Sequence, residues 1–253
     1  LSCPEVARLA LSNPRGISFE MMEVEPHRAH QITAVVPDLT LPLEESPAGY
    51  FWEIRRTVLL VLQDRSLPLG TRLRHIGRFC ISLQAAFDAE DFSKIRELVE
   101  RYQGAARLRS HHYEELELEN DLKLQALFQI SVLQALFSLA RQRGTASKRF
   151  AETLNECLMA FDFYRSPKAE KLLQQSRQSI QQFFNPFLST HGFMLENYLV
   201  NQAFKNLFPS GSATSLWEEW VHFLAPFFAI RGVLIGLALR NHGIEPAQVV
   251  KLV

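Results

Sequence analysis

Residues 72–87 read RLRHIGRFCISLQAAF. Ile76, Phe79, Cys80, Leu83 and Phe87 recur at three and four residues, the repeat that gathers side chains on one face of an α-helix. Arg72, Arg74 and Arg78 are read as turned away from that face. The same period continues on both sides. Upstream, Ser46-Pro47 reads as an N-cap with proline at the first helical position. Phe51, Ile54, Val58, Val61 and Leu62 then share a face. Downstream, Ile95, Leu98, Val99 and Tyr102 share another, with Glu97 and Arg101 spaced as an i,i+4 pair. Further faces follow at Phe150, Leu154, Cys157, Leu158 and Phe161, and at Leu172, Ser176, Ile180, Phe183, Phe184 and Phe187. The expectation is an all-α fold of roughly eight or nine helices, a single helical domain with an extended N-terminal arm.

The arm is residues 1–46 and the helical domain residues 47–253. Ser2-Cys3-Pro4-Glu5 reads as a capping box that opens a short helix to about Ser12, stopped at Asn13-Pro14-Arg15-Gly16. From Gly16 to Pro47, Ile17, Phe19 and Met21 alternate, as do Leu39, Leu41 and Leu43. With Pro26, Pro37 and Pro42 this reads as an irregular extended segment. Candidate breaks at Gly104–Ser110, Gly144–Ser147, Ser166-Pro167 and Pro209–Thr214 are short enough to be turns within one domain.

Two stretches are apolar over more than one face. Ala126–Ala140 suits a central helix surrounded by others. Val221–Leu239 approaches membrane-spanning length. It carries His222, Pro226 and Arg231 and has no flanking aromatic belt, so a buried core helix kinked at Pro226 is preferred to a membrane span. Gly232 and Gly236, four apart, should let another helix approach closely.

The 253 residues are 47% hydrophobic, with Lys+Arg 27 against Asp+Glu 27. That composition is globular. A net charge of +0 supplies no basic field to hold nucleic acid. Three cysteines are too few for a disulfide framework and suit a reducing, cytoplasmic compartment. The opening residues carry no secretory signal, and a piece of a longer protein is expected.

Known chemical motifs are sparse. There is no glycine-rich dinucleotide fingerprint, no P-loop and no H-E-x-x-H. Cys80 and Cys157 sit on apolar helix faces and read as small buried hydrophobes. Cys3 stands at a helix start, where a thiolate is stabilised, but one thiolate makes no metal site. His111 and His112 are adjacent and do not converge on one ion. The following run of Glu114, Glu115, Glu117 and Glu119 reads as a solvated face, Glu119 and Lys123 pairing at i,i+4. Asn197 and Asn201 lie one helical turn apart, with Lys205 a turn further. Two asparagines in register within a helix ask for a reason: a solvated stripe, amides that cap a neighbouring loop, or a binding face.

Leu1-Ser2-Cys3-Pro4-Glu5-Val6, with the short helix after it, resembles the segment that closes the cysteine-rich region of bacterial flagellin lysine-N-methylases. Glu196-Asn197-Tyr198-Leu199-Val200-Asn201, followed by Leu207-Phe208-Pro209, resembles the late motif of the same family in order and separation. The resemblance implies the C-terminal part of an enzyme that transfers methyl groups from S-adenosylmethionine to lysine side chains of flagellin. It implies an upstream iron–sulfur centre, to which Cys3 would contribute only in the longer protein. Neither cofactor is expected on this fragment, which should be inactive alone. Lysine must lose a proton before its amine attacks, and Glu196 and Tyr198 are the candidates to assist. Asn197 and Asn201 are candidates for substrate binding. The alternative is a non-enzymatic helical binding module, such as the ligand-binding half of a regulator.

Overall fold

The computed structural model describes residues 4–17, 49–108, 122–144, 148–165, 167–209 and 213–252. Among them there is no strand. The helices are α1 (Pro4–Leu11), α2 (Phe51–Leu62), α3 (Leu69–Asp88), α4 (Phe92–Leu108), α5 (Leu122–Arg143), α6 (Lys148–Ala160), α7 (Ala169–Ser179), α8 (Asn185–Lys205), α9 (Leu216–Asn241) and α10 (Pro246–Leu252). The all-α expectation holds. The expected capping residue Ser2, nearly all of the extended arm, the paired histidines and the acidic run lie outside the described residues.

Two compact units interleave along the chain. The first takes Leu1–Pro14, Leu116–Tyr198 and Leu224–Val253, and the second Arg15–Glu115 and Leu199–Phe223.

In the second unit α2, α3 and α4 pack on one another. The expected faces meet there: Ile54, Val58, Val61, Ile76, Phe79, Cys80, Leu83, Ile95 and Leu98 are all buried. Gly77 lets the ring of Trp220 lie against α3, since a Cβ there would stand 3.0 Å from Trp220 Nε1. Trp220 stacks on Phe223, and Phe208 packs edge-on against Trp220 and tilted against Phe223. Two arginines work inside this core. Arg55 is buried and donates from Nη1 to the carbonyls of Ala203 at 2.9 Å and Phe208 at 3.0 Å. It lies over the Phe204 ring at 4.8 Å. Desolvation pulls its pKa down, but the ion remains the donor that closes the carbonyl end of α8. Arg72 corrects the outward reading of the α3 arginines: it is buried and donates to the carbonyl of Leu62, the last residue of α2. A guanidinium at a helix C-terminus satisfies orphan carbonyls that no backbone amide reaches.

In the first unit α5 packs against α7, and α1 against α10. α5 is not surrounded as its composition suggested. Ala126, Gln129, Ile130 and Leu133 are buried, but Leu127, Phe128 and Leu139 are 44%, 48% and 48% exposed. An apolar circumference therefore misled, because the residues beyond one face meet solvent. Gly144, at φ 76, ends α5 with its amide bonded to Ala140 O, a left-handed stop that glycine adopts without strain. The break expected at Gly104–Ser110 begins late, since α4 runs through Gly104 to Leu108.

The glycine pair of α9 serves close packing as expected. A Cβ on Gly236 would fall 2.1 Å from Cys157 Sγ and 3.2 Å from the Cys157 Cα. One on Gly232 would fall 2.3 Å from Gln129 Nε2. α9 continues through Pro226. It is long and apolar enough to cross a membrane by length and composition, and 61% of its most apolar window is buried.

α7 and α8 form one unbroken rod through a π-turn at Ile180–Phe184. Pro186 favours the wider turn, although α9 shows that a proline alone does not require one. Pro186 has no N–H, and in a regular α-turn its ring would collide with the Gln182 carbonyl. The wider turn removes that collision, and the Asn185 amide reaches back five residues to Ile180 O.

Candidate functional site

The late motif lies on α8, and its burial differs from that of an amphipathic helix. Met194, Leu195, Glu196, Asn197, Tyr198, Leu199 and Val200 are all buried in succession. Asn201 is half-buried and Lys205 is exposed. The stripe of Asn197, Asn201 and Lys205 thus runs from interior to solvent.

Asn197 is 0% exposed. Its Nδ2 donates to three carbonyls: Ala10 at 2.9 Å, Leu11 at 3.3 Å and Asn13 at 2.9 Å. These are the last residues of α1 and the loop just after it. The side chain does for α1 what Arg55 does for α8, adding donors at the carbonyl end of a helix, where backbone amides are scarce. Leu11, 2% exposed, packs at the same end. Of the three readings open from sequence, the amide that caps a neighbouring segment describes this geometry. The two stretches that carried the family resemblance, one at the start of the chain and one late, are therefore in contact through this amide. Cys3 itself lies outside the described residues.

Glu196 is a buried carboxylate at 2% exposure. Tyr198 is 5% exposed, and burial pushes its hydroxyl up to about 12. A phenol that weak is neutral at physiological pH, so it is suited to donate a hydrogen bond rather than to take a proton from lysine, whose unperturbed pKa is about 10.4. Two residues apart, Glu196 and Tyr198 project about 200° apart around the helix. The side chain between them, Asn197, is the one that holds α1.

A family model described as FliB lysine N-methylase C-terminal domain matches residues 55–253. The chain belongs to that family. The matched span of this FliB-type domain begins at Arg55, within α2, and contains the late motif; the α1 segment that Asn197 grips precedes it. No curated protein and no solved structure matches the chain.

The FliB-type domain offers no cluster ligands among its described residues, where no three His, Cys, Asp or Glu side chains converge. Cys80 and Cys157 lie in different units, each fully buried. Their residue types fit an iron–sulfur centre, but each thiol is sealed in the core of its own unit, with no group of ligands gathered around it among the described residues. Burial pushes the Cys157 thiol up to about 12 and the Cys80 thiol higher still, with Glu219 adding to the latter. Both should resist an aromatic disulfide reagent at pH 8 in the native protein and react once it is denatured. Fast native labelling of either, read by peptide mass, would contradict this placement.

The same groups set an alkaline limit. Cys80, Cys157 and Tyr198 hold raised pKa values when folded. The stability this reflects is intact below their unfolded values of about 8.5 and 10. It is lost as pH rises, because the unfolded chain releases protons that the folded chain keeps. Urea midpoints should therefore fall between about pH 9 and 12. Cys157→Ala should make that decline shallower, and an unchanged slope would count against the assignment.

Proposed function

We propose that this chain is the C-terminal helical part of an S-adenosylmethionine-dependent methyltransferase that N-methylates lysine side chains of flagellin in the cytoplasm. The observation that carries the reading is the family match across residues 55–253. Residues 1–46 then form the end of an upstream cysteine-rich region bearing an iron–sulfur centre, with Cys3 as one of its ligands, and residues 47–253 form the helical domain. The role of that domain is to support the upstream region rather than to supply the methyl-transfer chemistry. Support for this comes from Asn197, which spends its donors on the segment following Cys3. The balanced charge of +0 supplies no basic field to hold nucleic acid.

The test compares a longer protein that carries the proposed upstream cysteine-rich region with this 253-residue chain. Each is incubated with flagellin and methyl-labelled S-adenosylmethionine, with peptides read by mass spectrometry and iron measured on the purified protein. The longer protein should add methyl groups to flagellin lysines and contain iron. The shorter chain should do neither. Methylation by the shorter chain alone would place the chemistry here and overturn the supporting role. A longer protein with no lysine methylation would overturn the function.

A further inference from the structure

The amide of Asn197 is used asymmetrically. Nδ2 faces three carbonyl oxygens, while Oδ1 is buried with no hydrogen-bond partner. Rotating the amide would set an oxygen against those carbonyls, so the orientation is fixed by its surroundings. A buried acceptor left unpaired carries a free-energy cost. The position therefore requires a donor of asparagine's length, and the isosteric aspartate, which has none when ionised, cannot serve. The attachment it makes is local. Leu11 is 2% exposed, whereas Leu9, two residues earlier, is 59% exposed and Arg8 is exposed as well.

We infer that Asn197 is a positioning residue: a donor-only clamp that holds α1 by its carbonyl end and thereby fixes where the chain entering α1 at Pro4 meets the helical domain. Its link to catalysis rests on the proposed function above; the clamp itself does not. An eight-residue helix is too short to persist alone in water. Once its end is released, α1 should unravel rather than swing as a rigid arm.

The test is amide hydrogen exchange on the 253-residue chain, with Asn197→Asp and Asn197→Ala. At pH 7 both variants should lose at least about tenfold of the protection at Leu9–Asn13, while α5, α7 and the latter half of α9 stay within about twofold. Acidification separates them. An introduced carboxyl among carbonyl oxygens has a raised pKa and becomes a donor when protonated. The Asp variant should therefore regain protection in α1 as pH falls towards about 4, and the Ala variant should not. Unchanged α1 protection at pH 7, or no acid recovery in the Asp variant, would overturn the clamp.

In the longer protein the Asp variant should lower kcat at least about tenfold with KM for flagellin unchanged. A released α1 with unchanged kcat would overturn the positioning role and leave the methylase reading intact. A raised KM with unchanged kcat would also overturn it and assign Asn197 to substrate docking. If the unmodified longer protein methylates no lysine, the functional reading fails while the exchange result still decides the clamp.

Discussion

Gly236→Ala should destabilise the first unit by about 3 kcal/mol, near the upper end for overpacking a core. The added Cβ would meet Cys157 Sγ at 2.1 Å, Cys157 Cβ at 3.0 Å and Cys157 Cα at 3.2 Å. The first contact could be relieved by a side chain giving way. The other two involve the body of α6 and require one helix to move away from another. Cys157→Ala in the same chain should restore only part of the loss, because Cβ and Cα remain. The two changes should couple by roughly 1 kcal/mol or more, as neighbours do. Gly104→Ala is the control. Nothing lies within 4 Å of its added Cβ, and α4 is helical there, so it should stabilise by about 0.5–1 kcal/mol. Thermal melting reads both, at about 2–4 °C per kcal/mol for a chain of this size. Equal effects from the two substitutions would refute the close approach of α6 and α9.

Arg55→Met should cost about 2–3 kcal/mol. The substitution returns the guanidinium's desolvation cost, and replacing buried ions by apolar groups is neutral in some proteins. Here the partners are not ions that leave with it. The Phe208 carbonyl stays behind without its arginine donor, at about 1–3 kcal/mol, that of Ala203 keeps the Phe208 amide but loses its second donor, and the packing of the ion over Phe204 is lost too. The lost donor to Phe208 and the lost packing over Phe204 together outweigh the return. Arg55→Lys should recover less than half, since a strongly hydrated ammonium costs more to bury and lacks the flat guanidinium that lies over Phe204. Urea unfolding should show a lower midpoint at an unchanged slope. A midpoint equal to that of the parent would show that water replaces the arginine at the end of α8.

The helices were legible because burial on one face leaves a 3.6-residue signature, as at Ile76, Phe79, Cys80 and Leu83. The same rule failed on α5, where hydrophobicity all round the helix says nothing about which faces find neighbours. Arg55 and Arg72 escaped it for another reason. A buried guanidinium at a helix end looks, in sequence, like any charge on the solvent side. Its acceptors on Ala203 and Phe208 lie 148 and 153 positions away. Asn197 stood out because asparagine is uncommon inside a helix, but its partners at residues 10–13 could not be read from spacing. The motif was visible in sequence; the direction in which its amide points was not.

The π-turn before Pro186 acts as a phase shifter. In a uniform α-helix each residue advances the side chains by about 100°, so the angular relation between α7 and α8 is set by the number of residues between them. Ile180–Phe184 holds one residue more than an α-turn would, absorbed without breaking the rod. Wound as an ordinary α-helix with no residue removed, the same stretch would turn everything downstream about 100° further relative to α7 and carry Asn197 off the carbonyls of Ala10, Leu11 and Asn13. The grip on the beginning of the chain thus depends on one extra residue being taken up by the wide turn, about four helical turns upstream of the amide that does the holding.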